Sequence, residues 1–257
     1  MNADRKKQWL PEYSRLAQVT WHTGDDVTLD NIRNFQYAAD GSVTPGWYSR
    51  RFSLRDVKSV DLVLSCWASP HIAHVFLSFE LGDGGRIAFS VETRRHEGQA
   101  WSAWRGFFRA YPVIYVAGDE RDLIGQRLCI RQERVWLYPM SLSPAKTSSL
   151  LHSYLLRIGQ INRAPERYHT LWNNCTTNIL RHGKDLTPDV RYHWQLLLSG
   201  HADRYCYERG LLKDWGLQNK RGPFDVLKYI SRLAPPETGG SDFSASIRLY
   251  KGRGLPS

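Results

Sequence analysis

No stretch of this chain approaches the roughly 20 consecutive apolar residues that a bilayer-spanning helix requires, and its four cysteines include no C-x-x-C pair. The first absence makes the chain as given read as soluble, although it could equally be the water-exposed part of something longer. The second argues against a zinc ribbon and a dense disulfide framework, leaving at most one bridge between two of Cys66, Cys129 and Cys206 in an oxidising space. Met1 to Tyr13 carries basic residues but no apolar run behind them, so the core of a secretory signal is missing from the chain as it stands, and a trimmed chain would look the same. There is no helix-turn-helix punctuation and no RNP-like aromatic strand, and nucleic acid is therefore not an expected partner. A metal site is not expected either. His71 and His74 have a ligand-like spacing, but on a strand they would point to opposite faces, and no third ligand suggests itself.

What is present is a chain of 257 residues with 42% hydrophobic content, enough for a proper core. Lys and Arg number 35 against 25 Asp and Glu, a net charge of +10 that suits either solubility or peripheral contact with an anionic membrane surface. Short apolar runs at Val60–Trp67, His74–Leu81, Arg86–Arg94 and Leu128–Tyr138, broken by Gly, Asp and Pro, read as antiparallel strands. Further on the pattern becomes helical. Ser143-Pro144 opens a helix whose Leu151, Tyr154, Leu155 and Ile158 share a face, ending within Asn162–Pro165. A shorter helix is expected over Cys175–His182, closed by a left-handed Gly183, and another near Tyr192–Ser199. Pro235–Ser241 reads as a loop leading to a last short strand or tail. Strands followed by helices predict an α+β domain, an antiparallel sheet with helices packed on one side.

The segment Asn173-Asn174-Cys175-Thr176-Thr177-Asn178 carries the chemistry. Either asparagine can cap the helix, which puts Cys175 in the first turn, where the helix dipole and free N–H groups favour a thiolate. The same N–H groups, with Asn174 assisting, can hold an oxyanion. A small buried hydrophobe is the bland alternative for Cys175; Cys66 and Cys129, read as lying inside apolar strands, and Cys206, between tyrosines with no cap signal, are poorer nucleophiles.

A thiolate needs a proton partner, and His74 opens an alternating strand ahead of the turn Gly82-Asp83-Gly84. Register follows from the apolar set. Setting Leu81 opposite Gly85 pairs Phe79 with Ile87, Leu77 with Phe89 and Val75 with Val91, whereas a one-residue slip would put Arg86, Ser90 and Glu92 against those hydrophobes. On the other face Glu80 then meets Arg86, and Glu92 lands beside His74, where a carboxylate could orient the ring as the third member of a triad. An ordinary cross-strand charge pair is the simpler reading of that contact.

These residues resemble the Lnb-type N-terminal periplasmic domain family, related to bacterial lipoprotein N-acyltransferases and to permuted NlpC/P60 or papain-like thiol enzymes. The likeness rests on Val27–Phe35, Ala73–Phe79, Ser90-Val91-Glu92-Thr93-Arg94, Gly106–Arg109, Asp119-Glu120-Arg121-Asp122 and above all Asn174-Cys175-Thr176-Thr177-Asn178. It runs from about Trp21 to Leu211, implying one domain over 1–257 with a C-terminal extension from 212. The resemblance implies a permuted papain-like fold and a periplasmic location, although nothing in the chain as given excludes the cytoplasm. It also implies a thioester on Cys175, loaded from a phospholipid and passed to an amine such as a lipoprotein's N-terminus. No cofactor is called for, because such chemistry needs only nucleophile, base and oxyanion site. A peptidase, amidase or acyl hydrolase acting on cell-wall or peptide substrates could use the same residues. A non-catalytic binding domain would instead leave Cys175 and His74 far apart. Trp101–Arg109 mixes aromatic and basic residues as a membrane-docking patch would, and Asp119–Asp122 reads as a structural salt-bridge corner.

Overall fold

The computed structural model describes residues 8–38, 40–99, 111–169, 173–184, 193, 195, 198–213, 216, 222–235 and 242–248. Strands β1 (Gln18–Trp21), β2 (Asp26–Arg33), β3 (Gln36–Tyr37), β4 (Val43–Thr44), β5 (Trp47–Ser53), β6 (Ser59–Ser69), β7 (Ile72–Glu80), β8 (Arg86–Thr93), β9 (Val113–Gly118) and β10 (Arg134–Pro139) precede most of the helical structure. The main sheet runs β1-β2-β9-β8-β7-β6-β10 with β5 also on β2, and all its pairings are antiparallel except β2 with β9. Helices are α1 (Glu120–Gly125), α2 (Pro144–Arg163), α3 (Cys175–Lys184), α4 (Ala202–Glu208), α5 (Pro223–Ile230) and α6 (Phe243–Ser246). The protein is α+β.

The β7–β8 hairpin has the expected register: Leu77 pairs with Phe89, Phe79 with Ile87 and Glu80 with Arg86. Its loop closes by Leu81 N–H to the Gly85 carbonyl at 2.9 Å, and Gly84 takes φ +84°, which a side chain would strain. Helix α2 begins at Ser143, whose hydroxyl accepts from the Lys146 amide, and buries Leu150, Leu151, Tyr154, Leu155, Ile158 and Ile161. These pack with α3 and α4 on the sheet face carrying Leu62, Leu64, Val75, Leu77, Phe79, Phe89, Val91 and Tyr115.

The opposite face is not the open polar surface that alternation suggests. Phe76, Ala88, Ile114, Val116, Val135 and Leu137 form a second core with Tyr13, Leu123, Ile124, Leu128 and Ile247, so short helical segments cover this side too. Its buried charges are paired. Arg33 grips Asp122 with two bonds of 2.8 Å, and Arg248 reaches both Glu120 (2.6 and 2.7 Å) and Asp61 (2.6 Å). The Asp119–Asp122 corner is thus structural, with Asp119 capping α1 and Glu120 and Asp122 fully buried.

Four expectations need correction. Leu128–Ile130 belongs to a π-helical turn at Gln126–Ile130, leaving only Arg134–Pro139 as strand and Cys129 exposed outside it. Gly183 lies inside α3, which continues to Lys184. Residues beyond the Pro235–Ser241 stretch form α6 rather than a strand. His71 precedes β7 instead of sharing its strand with His74. The Trp101–Arg109 patch, residues 236–241 and most of the expected Tyr192–Ser199 helix lie outside the described residues.

Candidate active site

The thiol position starts with a cap. The Asn174 side-chain oxygen accepts from the Thr177 amide at 2.8 Å, and the Thr177 hydroxyl accepts from the Asn174 amide at 2.9 Å, a reciprocal pair that makes Asn174 the N-cap and Cys175 the first helical residue. A chain of buried hydrogen bonds anchors this turn to the sheet. The Asn178 amide group donates to the Asn174 carbonyl (2.8 Å), its oxygen accepts from Tyr115 (3.1 Å), and Tyr115 contacts His182 (2.9 Å), which in turn meets Ser153 (2.7 Å). With Tyr115 donating to Asn178, His182 donates to Tyr115 through Nε2. The ring is neutral at ordinary pH, so Nδ1 accepts from Ser153. Burial, with Arg157 and Arg181 adding to it, pulls its pKa down to about 3.

By strand alternation His74 and Glu92 belong to the sheet face opposite α3, so the thiol and imidazole would be separated by a continuous ladder. The ladder is not continuous. Pairing between β7 and β8 stops at Leu77 with Phe89, and the expected continuation of Val75 with Val91 and His74 with Glu92 does not form. At that split the Cys175 sulfur sits close enough to the Val75 amide and the His74 ring for both to favour its thiolate. A separated cysteine and histidine, which a non-catalytic domain would allow, is not what the fold contains.

Glu92 is beside His74, as the register implied, with Oε1 3.2 Å from Nε2. Ser90 stands between them. Its hydroxyl donates to Glu92 at 2.7 Å and lies 2.6 Å from Nε2, so it accepts the Nε2 proton and leaves Nδ1 as the ring nitrogen available to the sulfur. Arg127 holds Glu92 from behind at 3.0 Å and donates to the Leu123 carbonyl at 2.7 Å. Ser90 and Arg127 were not identifiable from the sequence, since a strand serine and a π-helix arginine carry no local signal of either role.

The electrostatics converge. Burial alone would lower the His74 pKa, but the Glu92 carboxylate and the Cys175 sulfur outweigh both burial and Arg127, holding the ring up to about 9. Burial pushes the Cys175 thiol up, yet the hydrogen bond and charge of His74, the Val75 amide and the Thr176 hydroxyl bring it below its ordinary value. Glu92, despite burial, is kept well below the carboxylate range by His74, Arg127 and Ser90. All four cysteines are free thiols, so no bridge joins Cys66, Cys129 or Cys206. Burial pushes those three up, Cys206 to about 12, and Cys175 alone is lowered. The three groups open into a cleft of about 630 Å³ that Arg127, Tyr168 and Asn174 also line. Asn174 caps the helix through its oxygen, and the Cys175 amide stands beside it at the helix start, where an oxyanion would be held. Among the described residues no group of three His, Cys, Asp or Glu is placed to hold a metal ion.

A family model of the Lnb N-terminal periplasmic domain matches residues 44–205, more than half of the chain. The chain belongs to that family. The Lnb match contains His74, Glu92, Asn174 and Cys175, and it lies within the Trp21–Leu211 span that the resemblance suggested. In comparisons with curated proteins and with solved structures, nothing matches the chain. The Lnb domain is by description periplasmic, and no helix among the described residues is long and apolar enough to cross a membrane.

Ser90→Ala tests the orientation of the ring. Losing a hydrogen bond to a charged imidazole should lower the pH at which His74 gives up its proton from about 9 by about one pH unit. A proton NMR titration of the His74 ring between pH 5 and 10 reads it, and an unmoved midpoint would remove Ser90 from the assignment.

Proposed function

We propose that this protein is a cysteine acyltransferase that works through a thioester on Cys175, with His74 as general acid and base and Glu92 and Ser90 orienting the ring. The observation that carries the reading is the Cys175 thiol at the start of a capped helix, set against the His74 ring that Ser90 and Glu92 hold, an arrangement that lowers the thiol's pKa. The thiolate attacks an ester carbonyl, forming the S–C bond. The Cys175 amide and Asn174 face the resulting oxyanion. On collapse the C–O bond breaks and the departing alkoxide takes the proton from His74. An amine then attacks the thioester, its proton passes to the now neutral imidazole, and the C–S bond breaks to restore the thiolate.

The resemblance to lipoprotein N-acyltransferases points to an acyl donor drawn from a phospholipid and an amine acceptor such as a lipoprotein N-terminus, and the family's description as a periplasmic domain supports action in the periplasm. Incubation with phospholipid in detergent micelles should add one fatty-acyl mass to Cys175, and hydroxylamine should remove it. No adduct in the wild-type protein would count decisively against acyl transfer. A peptidase or amidase is the second reading, favoured by the charged side chains Arg131 and Glu133 in the cleft wall. It predicts release of amine from peptide substrates without any lipid-dependent adduct.

A further inference from the structure

Eight large hydrophobic side chains stand exposed among the described residues, and three of them, Trp67 (46%), Ile72 (45%) and Leu198 (43%), line the cleft that holds Cys175. Single exposed hydrophobics are ordinary; their gathering at one mouth is not. They are also held as a unit. Trp67 and Ile72 flank the turn between β6 and β7. Leu198 sits against that turn because Gly200 packs directly on it: a Cβ at Gly200 would come within 2.0 Å of the Pro70 carbonyl oxygen. The Gly200 amide donates to the His71 carbonyl at 3.0 Å, and the Ala73 amide donates to the Ser199 hydroxyl at 2.9 Å. Arg95 and Arg131 line the same cleft. Arg131 is 44% exposed and only loosely paired, 3.8 Å from Glu133. Exposed apolar side chains and an exposed cation at one cleft, on a chain of net charge +10, complement a surface that is apolar below and anionic at its edge.

We propose that the mouth of the Cys175 cleft is a docking surface for an anionic phospholipid membrane, with Trp67, Ile72 and Leu198 entering the headgroup–acyl boundary and Arg131 meeting lipid phosphates. Tryptophan favours that boundary, where its ring is half buried and its N–H stays wet. The inference rests on the proposed acyl chemistry for its purpose and adds where the substrate is met: the ester is presented to the thiolate at the membrane face, beside the residues that anchor the protein there.

The test uses the full chain carrying Cys175→Ala, which cannot turn lipid over, co-sedimented with vesicles of phosphatidylcholine alone or mixed with phosphatidylglycerol. Binding to the mixed vesicles, weaker on neutral ones, is expected. Trp67→Ser, Ile72→Ser and Leu198→Ser together should reduce it on the order of a hundredfold, each removing a half-buried apolar side chain, and Arg131→Glu roughly tenfold. Trp67→Phe, Ile72→Val and Leu198→Met, which keep the lip apolar, should bind like the parent. Absence of vesicle binding by the parent, equal binding by the serine variant, or equal loss in the conservative variant would overturn the proposal. Vesicle binding without any acyl-Cys175 in the wild-type protein sinks the catalytic reading and leaves docking intact; an adduct formed in micelles by a protein that ignores vesicles does the reverse.

Discussion

His74→Ala is expected to cut acyl transfer by about three to four orders of magnitude, close to the loss from Cys175→Ala, because nucleophile and base act as one unit. Two effects combine. Without the imidazolium the thiol loses the hydrogen bond and charge that hold it below its ordinary value, and burial, which opposes the thiolate, is left unbalanced. The leaving alkoxide also loses its proton donor. The pH dependence follows with a definite sign. Thiolate and imidazolium coexist from the depressed Cys175 pKa up to about 9, where His74 deprotonates, so wild-type turnover should fall on the alkaline side near that value. At pH 7 the rate of iodoacetamide labelling at Cys175 should fall roughly tenfold or more in His74→Ala and climb steadily toward alkaline pH as an unassisted thiol does. A variant labelled at the wild-type rate at pH 7 would show that the sulfur is not held as a thiolate by this ring.

The second large effect is on stability. Arg248→Ala should cost about 3–5 kcal/mol, because it leaves Glu120, which is fully buried, with serine hydroxyls such as Ser78 and Ser244 in place of a cation, and takes one of two arginines from Asp61. For a chain of this size that corresponds to a fall of about 8–15 °C in melting temperature. Arg248 follows α6, whose Phe243 packs on the second core together with Ile247, so the effect measures how firmly the C-terminal segment is held. In the wild type the Glu120 pKa is lowered: against burial, Arg248 and Ser78 among others favour its carboxylate. A lowered carboxyl contributes stability above its unfolded pKa that disappears as pH falls. The gap between wild type and variant should therefore narrow as pH falls below about 4.5, and calorimetry at pH 7.5 and pH 3.5 checks it. An equal gap at both pH values would mean the deficit is lost packing rather than an orphaned charge.

The hairpin and the capped cysteine helix were legible because each is written in local terms. One register alone keeps Leu77, Phe79, Ile87 and Phe89 on a shared face, and Asn174 followed by Thr177 can cap a helix that begins at Cys175. β9 was missed for the opposite reason. Val113–Gly118 is buried on both faces, so it has no alternation to read. Gly183 misled because a glycine near an expected helix end resembles a stop, yet here it continues the helix. The second core was invisible because it is assembled from β7 and β8 residues that alternate with polar ones, a short helix, and segments near both ends of the chain.

The sequence by itself determined which sulfur could be a nucleophile, which ring could serve it and which carboxylate would lie next to that ring, since caps and strand registers depend on neighbours a few residues apart. Only the tertiary structure decided that they meet. A thiol on one face of a sheet and a histidine on the other come into contact because β7 and β8 part beyond Leu77 and Phe89. That parting occurs where α3, held by the Asn178–Tyr115–His182–Ser153 chain, brings the first residue of the helix to the Val75 amide. Such closure depends on packing among segments distant in the chain, and no local pattern records it.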